Sequence, residues 1–280
     1  MTDIHEIESE LRADPSELRE RIVRDVGSFT VALLAVTGSG PAERLQFAGT
    51  GTLVTDKVSH FILTAKHVWD EILSKAVGVG ITLKPDTEHK FFIPREAIVI
   101  SGPAAPPTWN EWGPDLVFLR VPPEFLGTIN AVKVFYGING PAKVKIQQEI
   151  GAVELHLLMG TPKEKGQFTD TFADLQITGM LQNIFRKLEK EGWDYVDLDM
   201  DLSLAYVPRN FGGVSGGGLW EILVYRLPGS SKTAWLGTLE GVAFYQFPPE
   251  NNHSIVRCHG LNSIRMEFPN ARGLKNPKPI

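Results

Sequence analysis

Short apolar runs alternate with turn-forming residues along most of the chain. Segments at 29–37, 46–54, 60–64, 77–83, 91–100, 115–121 and 131–138 are rich in Val, Ile, Leu and Phe and are broken by Gly, Pro, Asp or Asn. After Gly140-Pro141 a second series follows at 143–148, 153–160, 195–202, 217–226, 238–246 and 254–259. Such runs between turn residues read as β-strands, because branched and aromatic side chains fit a half-buried pleated surface. Many short strands at regular spacing predict an all-β barrel architecture.

Three stretches depart from that pattern. Residues 5–25 are polar and charged, with apolar points at Ile7, Leu11, Leu18 and Ile22 and with Val26 just beyond. Asp14-Pro15-Ser16-Glu17 reads as a helix start, with Asp14 as cap and Pro15 in the first turn. The segment is expected to be a short helix or mobile arm beside the main body. In 171–191, Phe172, Leu175, Leu181, Ile184, Phe185 and Leu188 fall mostly at helical spacings, which predicts a helix or helical insertion. The tail 268–280, rich in Pro, Asn and Gly, is expected to be loosely held.

Composition narrows the class. With 280 residues and 42% hydrophobic content, the chain can bury one large core or two small ones. A net charge of -5 and no basic block give no electrostatic reason to hold nucleic acid. No run approaches the roughly 18 apolar residues of a membrane helix, and the first residues lack the basic-then-apolar order of a signal peptide. Cys258 is the only cysteine, so no intramolecular disulfide forms, and it reads as a structural thiol. These absences favour a reducing, cytoplasmic setting.

The chemistry concentrates at Gly212-Gly213-Val214-Ser215-Gly216-Gly217-Gly218, where one serine stands among glycines that permit a sharp turn and a close substrate approach. No Gly-Lys-Ser/Thr ending follows, so the run is not a phosphate loop. A serine hydroxyl is a poor nucleophile until a base takes its proton, and upstream stand a candidate base, His67, and a candidate orienting carboxylate, Asp115. His253 and His259 flank Cys258 at a spacing that matches no common metal site, so no metal and no cofactor are expected.

As a set these residues resemble the chymotrypsin-like (trypsin-like) serine peptidases of the cysteine-poor bacterial type. The resemblance rests on Gly49-Thr50-Gly51-Thr52-Leu53-Val54, Ile62-Leu63-Thr64-Ala65-Lys66-His67-Val68, Asp115-Leu116-Val117-Phe118-Leu119-Arg120-Val121 and Gly213-Val214-Ser215-Gly216-Gly217, in the order His, Asp, Ser. Leu158-Met159-Gly160-Thr161-Pro162 and Leu239-Glu240-Gly241-Val242-Ala243-Phe244-Tyr245 are similar to strands of that family's second barrel. The likeness implies two packed six-stranded antiparallel barrels: an arm at 1–27, a first barrel at 28–140 carrying His67 and Asp115, a second at 141–262 carrying Ser215, and a tail at 263–280. It implies that Ser215 is the nucleophile, His67 the base and Asp115 its partner, with the N–H groups of Gly213 and Ser215 as oxyanion hole. Arg209, Asn210, Phe211, Phe244, Tyr245 and Gln246 take the positions of the primary substrate pocket.

Two positions depart from the family. Val214 stands where secreted members carry an aspartate that pairs with a freshly cut N-terminus, so that mode of activation has no anchor. Lys66 replaces a small residue and is expected to point to solvent. The implied activity is a serine endopeptidase acting on specific intracellular protein or peptide targets, with room for a regulatory protein partner. The alternative is a latent or catalytically silent module that binds peptides or proteins in the same cleft.

Overall fold

Two β-sheet systems follow one another along the chain in the computed structural model, which describes residues 2–12, 16–83, 91–104, 110–139, 152–168, 173–227, 229–230 and 232–273. The first contains β1 (Thr30–Thr37), β2 (Arg44–Thr55), β3 (His60–Thr64), β4 (Gly78–Thr82), β5 (Phe91–Pro94), β6 (Val99–Ser101) and β7 (Val117–Arg120). They lie in the order β5-β4-β1-β2-β3-β7-β6, all antiparallel, and the two-residue β8 (Tyr136–Gly137) pairs in parallel with the end of β2.

The first sheet corrects the implied six-stranded barrel. Among the described residues no ladder joins β5 to β6, so it is an open, curled sheet of seven strands plus β8. The run 91–100 is not one strand. Pro94 fixes its own φ and lacks an N–H, and a single 3-10 turn at Arg95–Ala97 separates β5 from β6. Those two short strands sit at opposite edges, only four residues apart, which requires the sheet to curl until its edges approach. The strand expected at 131–138 shrinks to β8, because α3 (Pro123–Asn130), opened by a proline at its first position, takes the next N–H groups: those of Ala131, Val132 and Lys133 turn back to the carbonyls of Gly127 and Ile129.

The second system is a closed barrel of β9 (Val153–Gly160), β12 (Thr178–Lys190), β13 (Trp193–Asp201), β14 (Gly218–Arg226), β15 (Thr233–Gln246) and β16 (His253–Gly260), in the order β12-β13-β16-β15-β14-β9. A separate two-stranded hairpin pairs β10 (Gln167–Phe168) with β11 (Ala173–Asp174). The strand expected at 143–148 lies outside the described residues. Leu158, Met180, Leu198, Leu219, Ala243, Val256 and Cys258 fill the barrel interior. Phe61, Leu63 and Phe118 of the first sheet share another core with Leu157, Met159 and Trp220 on the barrel's outer face.

The helix expected within 171–191 is strand β12. Its apolar residues serve two faces: Met180 and Ile184 point into the barrel, whereas Leu181 and Leu188 join the cores outside it. A bulge between Ile184 and Arg186 inserts Phe185 and shifts the alternation by one residue. Two apolar faces plus a bulge imitate a helical period.

The N-terminal arm is two helices, α1 (Thr2–Arg12) and α2 (Glu17–Val26). The Oγ of Ser16, not Asp14, caps α2 by accepting from the Arg19 N–H at 3.1 Å; Asp14 and Pro15 lie outside the described residues. Ile7, Leu11, Leu18, Ile22 and Val26 are buried in the same core as Trp220, so the arm is part of the body. The tail is likewise ordered through Arg272 as α4 (Leu261–Arg272), whose Phe268 packs against Phe61 and Phe118 at 5.5 Å. Among the described residues no helix is long and apolar enough to cross a membrane.

Candidate functional site

β3 and β7 are paired neighbours, with Thr64 opposite Val117, so His67 just past β3 and Asp115 just before β7 emerge at the same end of the sheet. There they meet. The His67 Nδ1–H donates to Asp115 Oδ2 at 2.6 Å, and the His67 backbone N–H donates to Oδ1 at 2.8 Å. Asp115 is 3% exposed, so nearly all its hydrogen bonding is internal. Burial pushes the His67 imidazolium down, but the hydrogen bond and charge of Asp115, with Glu71 and Asp70 behind them, outweigh it and leave the pKa raised above 6.5.

Lys66 does not point to solvent. Its side chain is largely buried, and its ammonium donates to Asp70 Oδ2 at 2.6 Å. The pair joins residues 66 and 70 across the helical turn that carries His67, where an unpaired buried ammonium would be unstable.

Ser215 lies across Gly49 from that turn. A Cβ on Gly49 would lie 3.0 Å from Val68 Cγ2 and 3.1 Å from the Ser215 carbonyl oxygen, so the serine's backbone rests on β2 beside the residue that follows His67. Buried threonines of the first sheet hold the turn. The Thr50 N–H donates to Ser215 O at 2.9 Å, the Thr50 hydroxyl to Gly213 O at 2.7 Å and the Thr52 hydroxyl to Gly216 O at 3.0 Å. Thr50 Oγ1 also accepts from the Thr161 N–H at 2.9 Å. Gly216, at φ +90°, has no room for a side chain: a Cβ there would lie 2.0 Å from Thr50 O and 2.2 Å from Thr64 Oγ1.

The N–H groups of this turn divide sharply. Those of Gly212, Val214, Gly216 and Gly217 donate to Asn210 Oδ1, Phe211 O, Ala243 O and Val214 O at 2.7–2.8 Å. Those of Gly213 and Ser215 have no protein acceptor among the described residues. Gly213 has φ +93°, and a Cβ on it would strike the Phe47 ring at 2.3 Å.

Three side chains hold the Asp115 loop, and all come from the barrel; none was expected there from the sequence, where His259 was considered only as a metal ligand. Arg257 of β16 is 1% exposed, forms a two-pronged pair with Asp197 at 2.6 and 2.8 Å, and donates from Nη1 to Glu111 O at 2.9 Å. Its guanidinium lies 4.3 Å from the centre of the Trp112 ring. The Tyr195 hydroxyl donates to Trp112 O at 2.5 Å, and burial pushes its pKa up to about 12. His259, two residues beyond Arg257, accepts the Asp115 backbone N–H on Nε2 at 2.9 Å. The one signal in the sequence was an Arg and a His at alternate positions around Cys258, which puts two polar groups on one face of that strand.

The six substrate-pocket candidates do not form one surface. Arg209 and Asn210 are exposed, and their backbone N–H groups donate to the two carboxylate oxygens of Glu164 at 2.8 and 3.1 Å. Phe211 is buried in the barrel core, and its N–H donates to Gln246 Oε1 at 3.1 Å. Phe244 is buried against His259, while Tyr245 and Gln246 are partly exposed. The Gln246 side-chain amide continues to Ser254 Oγ at 3.3 Å, and Ser254 lines a cavity of about 510 Å³ with Arg186, Phe247, Pro248, His253 and Ile255. Cys258 is fully buried, and burial raises its thiol pKa well above 9, so it is protonated and inert. Among the described residues no group of three or more His, Cys, Asp or Glu is placed to hold a metal ion. No protein-family model and no curated protein sequence matches the chain.

Proposed function

We propose that this protein is a serine endopeptidase that cleaves peptide bonds through an acyl-enzyme, with Ser215 as nucleophile, His67 as general base and Asp115 as its orienting partner. The observation that carries this reading is the juxtaposition across Gly49: a buried carboxylate–imidazole pair on one side, and on the other a serine turn in which the N–H groups of Gly213 and Ser215 alone lack protein acceptors among the described residues. His67 donates from Nδ1 to Asp115, so its Nε2 is free of a proton in the neutral ring and suited to take one from the Ser215 hydroxyl.

Attack of the Ser215 oxygen on a substrate carbonyl forms a tetrahedral intermediate, while His67 becomes an imidazolium stabilised by Asp115. The two unused N–H groups receive the developing oxyanion; loss of one such donor typically costs about 3–4 kcal/mol of transition-state stabilisation. His67 then returns its proton to the leaving amine, and water, activated by the same imidazole, releases the acyl group. No metal or cofactor enters these steps.

Of the six pocket candidates, Tyr245 and Gln246 and the exposed 209–210 segment are proposed to meet the substrate, with Phe211 and Phe244 supporting them from the core. Val214 is buried against Gly160, so activation by pairing a carboxylate at that position with a new N-terminus is not part of this proposal. The test is a peptide library incubated with the wild-type chain and with Ser215→Ala. New peptide N-termini with wild type alone are expected; cleavage by both removes Ser215 as nucleophile, and cleavage by neither favours a peptide-binding module.

A further inference from the structure

We infer that His259 is a positioning residue for the His67–Asp115 pair: by accepting the Asp115 backbone N–H on Nε2, it fixes where that carboxylate sits against His67. The inference rests on the proposed role of Asp115 and adds to it a residue from the other half of the molecule.

The ring is held on every side. It stacks on Phe244 with centroids 4.3 Å apart and 17° between planes, and the Tyr195 and Trp193 rings each lie 5.3 Å away. A Cβ on Gly113 would lie 3.2 Å from Nε2 and 2.6 Å from the Asp115 nitrogen, so the turn entering Asp115 closes directly over the imidazole edge. To accept from an N–H, Nε2 must be bare, which puts the single ring proton on Nδ1. Nδ1 has no hydrogen-bond partner among the described residues.

That orphaned donor is the informative detail. If filling this space were the only requirement, a phenylalanine or leucine would avoid burying an unpaired N–H, which is destabilising. What the imidazole adds over an apolar ring is one acceptor, and it is aimed at Asp115. Burial, reinforced by the nearby positive charge of Arg257, pushes the His259 pKa down to about 3, so the acceptor form persists far into acid.

The two histidines flanking Asp115 therefore have opposite settings. His67 faces three carboxylates, Asp115, Asp70 and Glu71, with Lys66 paired to Asp70, and is biased toward its charged form. His259 faces the Arg257 cation on its own strand, the Tyr195 ring on β13 and the Asp115 backbone, and is held neutral. Without the His259 acceptor, the Asp115 N–H is buried with no partner and the carboxylate loses one of its restraints.

The test is nitrogen-15 histidine NMR on the full chain, with no substrate present. In the wild type, His259 is expected as the Nδ1–H tautomer with a bare Nε2; a proton on Nε2 would overturn the inference. His259→Phe keeps the stacked ring and removes the acceptor, and is expected to lower the His67 pKa toward the unperturbed value of about 6.5 and to weaken the downfield signal of its Nδ1–H. His259→Gln, which restores an acceptor oxygen, is expected to return both to wild-type values. A folded His259→Phe with an unchanged His67 pKa would also overturn the inference. Should that variant fail to fold, the wild-type tautomer decides alone. Because neither readout needs turnover, a chain that cleaves nothing counts against the proposed activity and leaves this inference standing.

Discussion

The two halves of the site are built by different means. On the first sheet, His67 and Asp115 are joined side chain to side chain by a charged hydrogen bond of 2.6 Å, in a pocket where electrostatics dominates. On the barrel, the Ser215 turn is shaped by its backbone: two positive-φ glycines, and three carbonyls tied down at 213, 215 and 216. Yet each half is secured by the other. The threonines that hold the Ser215 turn, Thr50 and Thr52, belong to the first sheet, whereas Arg257, Tyr195 and His259, which hold the Asp115 loop, belong to the barrel. Neither half holds the candidate site alone, so damage to one half should be felt in the chemistry proposed for the other.

The largest expected effect comes from the charged half. Asp115→Asn should lower the turnover number about 10⁴-fold while leaving the fold intact, because an amide cannot fix the same His67 tautomer or stabilise its cation. Steady-state kinetics beside a thermal melt separates the two effects, and an unchanged rate would remove Asp115 from the mechanism.

Next in size is the clamp between halves. Asp197→Ala leaves the Arg257 guanidinium buried without its carboxylate and should cost about 3–5 kcal/mol of stability. Urea denaturation measures it. If the clamp serves the Asp115 loop, the residual folded fraction should also turn over slowly, whereas full activity per folded molecule would confine the clamp to stability.

Thr50→Val probes the backbone half. It removes the hydroxyl that serves Gly213 O and the Thr161 N–H and should cost about 1–3 kcal/mol. The sharper expectation is a lower kcat with little change in KM, since the turn carries the proposed oxyanion donors. Equal loss in both parameters would argue that the turn's geometry is not what Thr50 protects.

The smallest effects are in pH. His67 has a raised pKa, and only its neutral form is a base, so kcat/KM should climb with pH through a midpoint above 6.5. The accompanying stability has the opposite course: the raised value favours the folded state below about pH 6.5 and this contribution is lost as pH rises through the folded pKa. His259 is depressed to about 3, so the unfolded chain binds its proton first, and stability falls as pH drops from about 6.5 toward 3. Unfolding free energies of wild type and His259→Gln across that acid range should converge as pH falls.

Much of the fold was legible because strand periodicity is local. The run at 60–64 is β3 to the residue, and the runs at 153–160 and 217–226 match β9 and β14 within a residue. Closure of the barrel, by contrast, depends on pairings far apart in sequence, such as β12 with β13 on one side and β9 on the other. The mistaken helix at 171–191 shows how a strand with apolar residues on both faces and a bulge loses its period of two. At the site, the residue types at 67, 115 and 215 stood out because short glycine-rich and strand-end patterns surround them. Thr50, Thr52, Arg257 and His259 did not, since their importance lies in which backbone groups they reach, 111 or more positions away for Thr50 and Thr161 and 144 for His259 and Asp115.

The most direct measurement is the intact mass of the wild-type chain after treatment with a fluorophosphonate, with Ser215→Ala and His67→Ala treated in parallel. A single adduct is expected on wild type, mapped by peptide digestion to Ser215, and none on either variant. An adduct on Ser215→Ala, or none on the folded wild type, would contradict an activated serine at this site.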